Sequence, residues 1–363
     1  MAAGGTGGHI FPALAVAEEL RARWLRQDSD PGACLVEFLG TGRGIESRLI
    51  PAAGFVLHTV TGAGLKGIAG WKRLHNLAVL PTSVIETALV LRDFRPSVVV
   101  GVGGYIAGPA MLLASLQEIP TLLIEPNAVP GFTNRVLAPL IRCAAVAYEE
   151  TARYYGPRAC LTGQPVRKAF LSVLPKEHTP PFTILVLGGS QGSAALNRCI
   201  CESLELFAKQ RRHLRFIHQT GVRDYSMVAA AYRSAAQSAE VHPFIEDVSG
   251  AFARADLVIS RAGATAVAEL AVAGKASLLV PFPAAADQHQ QANAHQLERA
   301  GAARVIRQSD LTPTRFIQEI DALLTEPGGL ADMERRAKSL ARPDATERIA
   351  DLIEELARGS ALT

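Results

Sequence analysis

Three glycine clusters carry the first chemical signal in this chain. They read "GGTGGHI" from Gly4, "GVGGYIAG" from Gly101 and "GGSQGSAALN" from Gly188. Each runs into a helix-like pattern, and the second and third follow apolar, β-branched runs. Glycine permits a tight turn and lets backbone N–H groups approach an anion, which the positive end of the following helix favours. Pro12 suits an early helical position, where no N–H is needed. None of the clusters fits the dinucleotide fingerprint or the P-loop: Ile10 stands where the last glycine of G-x-G-x-x-G belongs, and no Lys-Ser or Lys-Thr follows. A ligand-free strand-to-helix connection explains any one of them. Three together, at the carboxyl ends of strands, favour phosphate binding, because ligands of open α/β sheets sit at that edge.

Other residues could act beside these turns. Arg167 is a fixed cation near a proline-bearing stretch, suited to a diphosphate leaving group or simply to the surface. Glu269 follows the strand-like "DLVIS", where a carboxylate can accept two hydroxyl hydrogen bonds or be a solvated helix residue. His9, in the first helical turn after Gly8, is a candidate general base for transfer to a hydroxyl. The helix dipole favours its neutral, proton-accepting form. The alternative is a structural or acceptor-orienting histidine. "DSD" at Asp28–Asp30 matches a metal-binding Asp-x-Asp by letter, but it lies before a strand rather than after one. No protein-bound metal and no cofactor are expected.

The elements that must position these groups alternate. Strand candidates are 35–39, 98–100, 121–124, 144–147, 182–187, 214–219, 257–259 and 276–280, most of them separated by room for a crossover helix. That alternation predicts parallel sheets with helices on both faces, in two successive doubly wound domains. The stretch "LTGQPVRKAFLSVLPKEHTPPF" reads as the linker. The boundaries expected are 1–163 and 164–342, with a last amphipathic helix in 343–363 (Ile349, Leu352, Ile353, Leu356) packing back on the first domain. Before the first glycine turn only Met1, Ala2 and Ala3 remain for a strand; a true start further upstream is the favoured expectation, a stub strand the alternative.

The 363 residues exceed one typical domain, and 48% apolar with 20% charged residues fit a globular protein with ample core. A net charge of +3 gives no strong field for nucleic acid. Five cysteines (Cys34, Cys143, Cys160, Cys199, Cys201) show no zinc or redox spacing. No signal peptide is visible. The uncharged run 96–117 is about as long as a membrane span, but its four glycines and two prolines divide it into strand, turn and helix.

Eight motifs occur in one order: "GGTGGHIFPALAVA", "GVGGYIAGPA", "EPNAVPGFTNR", "TGQPVR", "GGSQGSAALN", "SRAGATAVAELAVAGKASLLVPFP", "DQHQQANA" and "PDAT". In these the chain resembles the MurG family, the UDP-N-acetylglucosamine:undecaprenyl-diphospho-muramoyl-pentapeptide N-acetylglucosaminyltransferases. The resemblance runs from Gly4 to the last helix. It implies an α/β fold of two Rossmann-like domains with an interdomain cleft, the GT-B glycosyltransferase type. It also implies inverting transfer of N-acetylglucosamine to lipid I, giving lipid II for peptidoglycan. By motif match, the first domain takes the lipid-linked acceptor, with Gly4, Gly5, Gly103, Gly104 and Tyr105 around its diphosphate. Thr6, Gly7, Gly8 and Asn127 reach the donor sugar, and Arg167 and Ser190 reach the donor diphosphate. Ile245 accepts the uracil, Ala264, Thr265, Ala266, Val267, Ala268 and Glu269 wrap the nucleotide, and Gln290 also touches the donor. The chain departs from the family's "HEQN": here Ile124, Glu125, Pro126 and Asn127 read "IEPN", which leaves Glu125 as a second candidate base. The partners implied are UDP-N-acetylglucosamine, lipid I and, more loosely, cell-wall assembly proteins.

Because that acceptor stays in the bilayer, the chain is expected at the cytoplasmic face of the cell inner membrane, attached peripherally. "GLKGIAGWKRLHNLAVL" supplies Leu65, Ile68, Trp71, Leu74 and Leu77 with Lys66, Lys72 and Arg73, which suits an anionic interface or an ordinary packed helix. The rival functions are a transferase with a glycolipid acceptor, a nicotinamide-dependent oxidoreductase and a catalytically inactive binding protein of cell-wall assembly.

Overall fold

The computed structural model describes residues 1–4, 7–26, 36–42, 44–61, 71–104, 106–189, 191–209, 213–285 and 288–359, with only the backbone described for 71–80 and 208–209. Gly5, Thr6, Tyr105, Ser190, the Asp28–Asp30 loop, Cys34 and the side chains of the basic, Trp71-bearing stretch therefore lie outside the described residues. The chain divides into two compact units, Met1–Arg167 with Arg342–Thr363, and Lys168–Ala341.

The first unit is built on strands β1 (Ala2–Ala3), β2 (Glu37–Gly40), β3 (Val56–Thr59), β4 (Val99–Gly103), β5 (Thr121–Glu125), β6 (Cys143–Val146) and β7 (Ala159–Leu161). All pair in parallel, in the order β3-β2-β1-β4-β5-β6-β7. Helices α1 (Gly7–Arg26), α2 (Glu46–Ala52), α3 (Trp71–Phe94), α4 (Ala107–Leu116), α5 (Phe132–Leu137) and α6 (Glu149–Ala152) follow the strands in turn. β1 has only two residues, both buried, yet it holds the centre: Ala2 pairs with Leu39 on one side and Gly101 on the other. β4 shows why the interior strands read as unbroken apolar runs. Its Val100 and Val102 pack on the α1 side while Val99 packs on the α4 side, so both faces are buried. The uncharged run 96–117 becomes β4, a turn and α4. Among the described residues no helix is long and apolar enough to cross a membrane.

The second unit carries α7 (Lys168–Leu171), β8 (Phe182–Leu187), α8 (Ala194–Lys209), β9 (Leu214–Gln219), α9 (Tyr225–Ser234), β10 (Ala239–His242), α10 (Val248–Arg254), β11 (Leu257–Ser260), α11 (Ala264–Ala273), β12 (Ser277–Leu279), α12 (His289–Arg299), β13 (Ala303–Val305), α13 (Pro313–Thr325) and α14 (Gly329–Ser339). Its parallel sheet runs β10-β9-β8-β11-β12-β13, the same winding as the first. The last helix, α15 (Ala345–Ala357), belongs to the first unit, where Ile349, Ala350, Ile353 and Leu356 are buried in the core with α1. Arg23 of α1 fixes its register by pairing with Asp351 at 2.6 Å.

Candidate functional site

In an open parallel sheet the strand order reverses at one point, and the crevice there, at the carboxyl ends of the strands, is where ligands bind. The two reversals in this chain fall between β1 and β4 and between β8 and β11. All three glycine clusters stand at these positions.

At the first reversal the turns after β1 and β4 touch. Gly104 has φ +83°, and a Cβ on it would lie 2.5 Å from the Gly4 carbonyl oxygen, so no side chain fits. Gly103 has φ +125°, and a Cβ there would stand 2.8 Å from the His9 ring. His9 Nδ1 lies 3.1 Å from the Gly4 carbonyl oxygen. A carbonyl can only accept, so Nδ1 donates, and in the neutral ring the basic lone pair is on Nε2. α1 has no acid in its first turn, which leaves the positive end of its dipole uncompensated there. Gly7 and Gly8 begin this helix. Phe11, one turn from Gly7, supports the Arg167 guanidinium, whose carbon sits 4.8 Å from the ring centroid.

Glu125 ends β5 and is 1% exposed. Its carboxylate accepts from Asn127 N at 3.1 Å, Asn127 Nδ2 at 3.2 Å, Asn134 Nδ2 at 2.6 Å and Tyr155 Oη at 3.3 Å. Burial raises its pKa against the lowering effect of these donors. The same loop is tied down from beyond by Thr151, whose hydroxyl donates to the carbonyls of Asn127 and Ala128. Asn134 and Tyr155 are absent from the sequence reading, since nothing in the local pattern joins them to Glu125.

At the second reversal, the turn after β8 lies backbone to backbone on the one after β9. A Cβ on Gly192 would come 1.9 Å from the Thr220 carbonyl oxygen, and one on Gly221 would come 2.4 Å from that of Gln191. α8 and α11 both begin here without an acid in the first turn. Gly263 caps α11 in extended conformation and contributes no side chain. Ala264, Val267 and Glu269 are buried, and Thr265, Ala266 and Ala268 half-buried. Gln290 is fixed by the Phe282 N–H, which donates to its Oε1 at 2.9 Å. Ile245 lies in the loop after β10 and is 8% exposed.

Arg261 organises this edge and escaped the sequence reading. Its guanidinium donates to the carbonyls of Val280 and Pro281, to Ser193 Oγ at 2.7 Å and to Gln308 Oε1 at 2.7 Å, and it lies over the Phe282 ring. Burial lowers its pKa to about 10, so it keeps its charge at neutral pH. An arginine directly after a strand was the available signal. Among the described residues no group of three His, Cys, Asp or Glu side chains could hold a metal ion.

Two parallel α/β units of one winding, each with glycine turns at its reversal point, define a glycosyltransferase of the GT-B type. Residues 1–146 match the glycosyltransferase family 28 N-terminal domain and residues 183–351 its C-terminal domain. The chain belongs to glycosyltransferase family 28 and, within it, to the MurG family. It is 45% identical over 361 residues to the UDP-N-acetylglucosamine--N-acetylmuramyl-(pentapeptide) pyrophosphoryl-undecaprenol N-acetylglucosamine transferase of Anaeromyxobacter sp. (strain Fw109-5), covering 99% of this chain and 93% of that one. The enzyme of that name from Solibacter usitatus (strain Ellin6076) is 43% identical, with 99% and 96% covered. The crystal structure of Acinetobacter baumannii MurG superposes with a TM-score of 0.78 at 34% identity, covering 98% of each chain.

Proposed function

We propose that this chain transfers N-acetylglucosamine, with inversion, from UDP-N-acetylglucosamine to the C4 hydroxyl of the muramoyl sugar of undecaprenyl-diphospho-MurNAc-pentapeptide. The product is lipid II. The observation that carries this reading is the repeated winding: each unit sets a glycine turn and an acid-free helix start at its own strand reversal. Two such edges suit one pyrophosphate on the acceptor and one on the donor.

In the mechanism we assign, the acceptor hydroxyl oxygen attacks C1 of the donor sugar. The C1–O bond to the diphosphate breaks, UDP leaves with the bonding pair, and His9 Nε2 takes the hydroxyl proton. Arg167 and the turn at Gly188, Gly189 and Gly192 meet the developing charge on the diphosphate. Glu269 holds the ribose, and Ile245 and Gln290 complete the donor site. Glu125, surrounded by donors, is given a positioning part: it sets Asn127, which faces the sugar. Gly4, Gly103 and Gly104 take the acceptor's diphosphate. The first unit (Met1–Arg167 with Arg342–Thr363) is assigned the acceptor and the second (Lys168–Ala341) the donor, with the boundary a few residues beyond the 163/164 expected from the sequence.

Attachment to the cytoplasmic face of the membrane is part of the proposal. Leu112 and Leu116 of α4, Phe132 and Val136 of α5, and Leu140 are all at least 40% exposed, and Arg135 and Arg142 stand exposed among them. Apolar side chains ringed by cations suit an anionic interface.

The test is turnover. Purified protein given UDP-N-acetylglucosamine and a soluble lipid I analogue is expected to release UDP and form the disaccharide. Turnover only with a glycolipid acceptor, or none with either, would overturn the assignment.

A further inference from the structure

We infer that Gln219 is a positioning residue of the donor site, whose carboxamide sets the spacing between the site's phosphate end and its base end. The inference rests on the function proposed above. Gln219 is the last residue of β9 and is 4% exposed. Its Nε2 donates to the Gly189 carbonyl at 2.9 Å, and its Oε1 accepts from the Ile245 N–H at 2.8 Å. One end of a single side chain thus grips the glycine turn after β8, and the other grips the loop after β10.

The chemistry of the two partners fixes the residue type. A carbonyl can only accept and an amide N–H can only donate, so the bridging group must offer one donor and one acceptor side by side. An ionised glutamate lacks the donor, and leucine lacks both. The orientation of the amide is determined by the same argument.

The strand end is braced on its other face as well. His218 points away from Gln219, as successive strand residues do. Its Nδ1 pairs with Tyr232 Oη and its Nε2 with Asn197 Oδ1, each at 3.1 Å. Asn197 Nδ2 donates in turn to the Thr220 carbonyl and to Asp224. β9 is therefore a fixed post, and Gln219 is the arm that reaches from it to both donor-site loops.

The experiment compares the native chain with Gln219→Leu and Gln219→Glu, by steady-state kinetics with UDP-N-acetylglucosamine and a soluble acceptor analogue. UDP binding is measured by calorimetry, with melting temperatures alongside. For Gln219→Leu the donor KM is expected to rise about tenfold, the effect of stranding two buried partners, with acceptor KM and kcat nearly unchanged. For Gln219→Glu the donor KM, relative to native at the same pH, recovers as pH falls from about 8 to about 5, because a protonated carboxyl regains one donor and one acceptor. Donor KM values within about twofold of native for both variants would overturn the inference. So would donor and acceptor KM rising together with a lowered melting temperature and no recovery at low pH. A native chain that binds no UDP would instead overturn the donor-site reading itself, and this inference with it.

Discussion

The guanidinium of Arg167 rests on the ring of Phe11, its carbon 4.8 Å from the ring centroid. The same ring closes over Gly7, where a Cβ would stand 2.9 Å from Phe11 Cε2. A residue at the end of the first unit's main segment is thereby set beside the first turn of α1. Stacking of this kind contributes about 0.5–2 kcal/mol and fixes the plane of the cation. Phe11→Ala is expected to raise the donor KM about threefold to tenfold, while Phe11→Tyr, which keeps the ring, stays near native. Arg167→Lys should weaken donor binding further, because an ammonium cannot reproduce the planar fork. Native donor KM in Phe11→Ala would show that the ring does not position Arg167 for the ligand.

His9 and Gly103 form a second linked pair. If His9 takes the acceptor proton, His9→Gln lowers kcat by about 10²- to 10⁴-fold and leaves UDP affinity unchanged. Gly103→Ala should reach a similar loss by another route. Its Cβ would push on the imidazole from 2.8 Å, at a φ of +125° that side chains rarely adopt. Strain there costs about 1–3 kcal/mol, so the melting temperature is expected to fall in Gly103→Ala but not in His9→Gln. Near-native turnover of His9→Gln, measured with the soluble acceptor, would remove His9 as the base.

A buried charge cluster in the second unit makes a pH prediction. His178 donates from Nδ1 to Asp256 at 2.9 Å and from Nε2 to Glu334 at 3.1 Å, with Lys176 on Asp256 and Lys275 near Glu334. These hydrogen bonds, against burial, raise its pKa from 6.5 to about 9. A raised folded pKa means that the stabilisation is fully present below the unfolded value of about 6.5 and is lost as pH rises through about 9. His178→Gln should therefore melt below the native protein at pH 6, by an amount corresponding to at most about 3 kcal/mol. The gap should close by about pH 10. A gap independent of pH in thermal melts would show that the protonated form of His178 is not what holds the cluster.

The apolar face of α4 and α5 gives a binding prediction. Phe132 is 65% and Leu116 71% exposed. Burying one such side chain in an interface contributes about 1.5–3 kcal/mol. Leu116→Ser with Phe132→Ser should shift most of the protein off anionic vesicles in a sedimentation assay, with turnover on the soluble acceptor unchanged. Equal sedimentation of variant and native protein would exclude this face as the attachment surface.

The interior of both sheets was legible in the sequence. The runs at 182–187 and 214–219 are strands with those bounds, and 257–259 lies within β11. Strands buried on both faces leave continuous apolar runs. Of the five strands not among the candidates, β3, β7, β10 and β13 are the edges of their sheets and are largely half-buried or exposed, while the fifth, β1, is a two-residue strand between β2 and β4. One solvated face breaks the run, and the strand reads as a loop.

By itself the sequence determined the alternation of strands and helices, the glycine turns and the amphipathic last helix, because these depend on residues close together in the chain. It also carried the motif order of the family. The strand order was decided only in three dimensions. So were the joining of Glu125 to Asn134 and Tyr155, the reach of Arg261 to Gln308, and the bridge of Gln219 from Gly189 to Ile245. In a parallel sheet neighbouring strands are separated by a whole crossover, so the buried donors and acceptors that must find partners find them far along the chain, where no local pattern records the match.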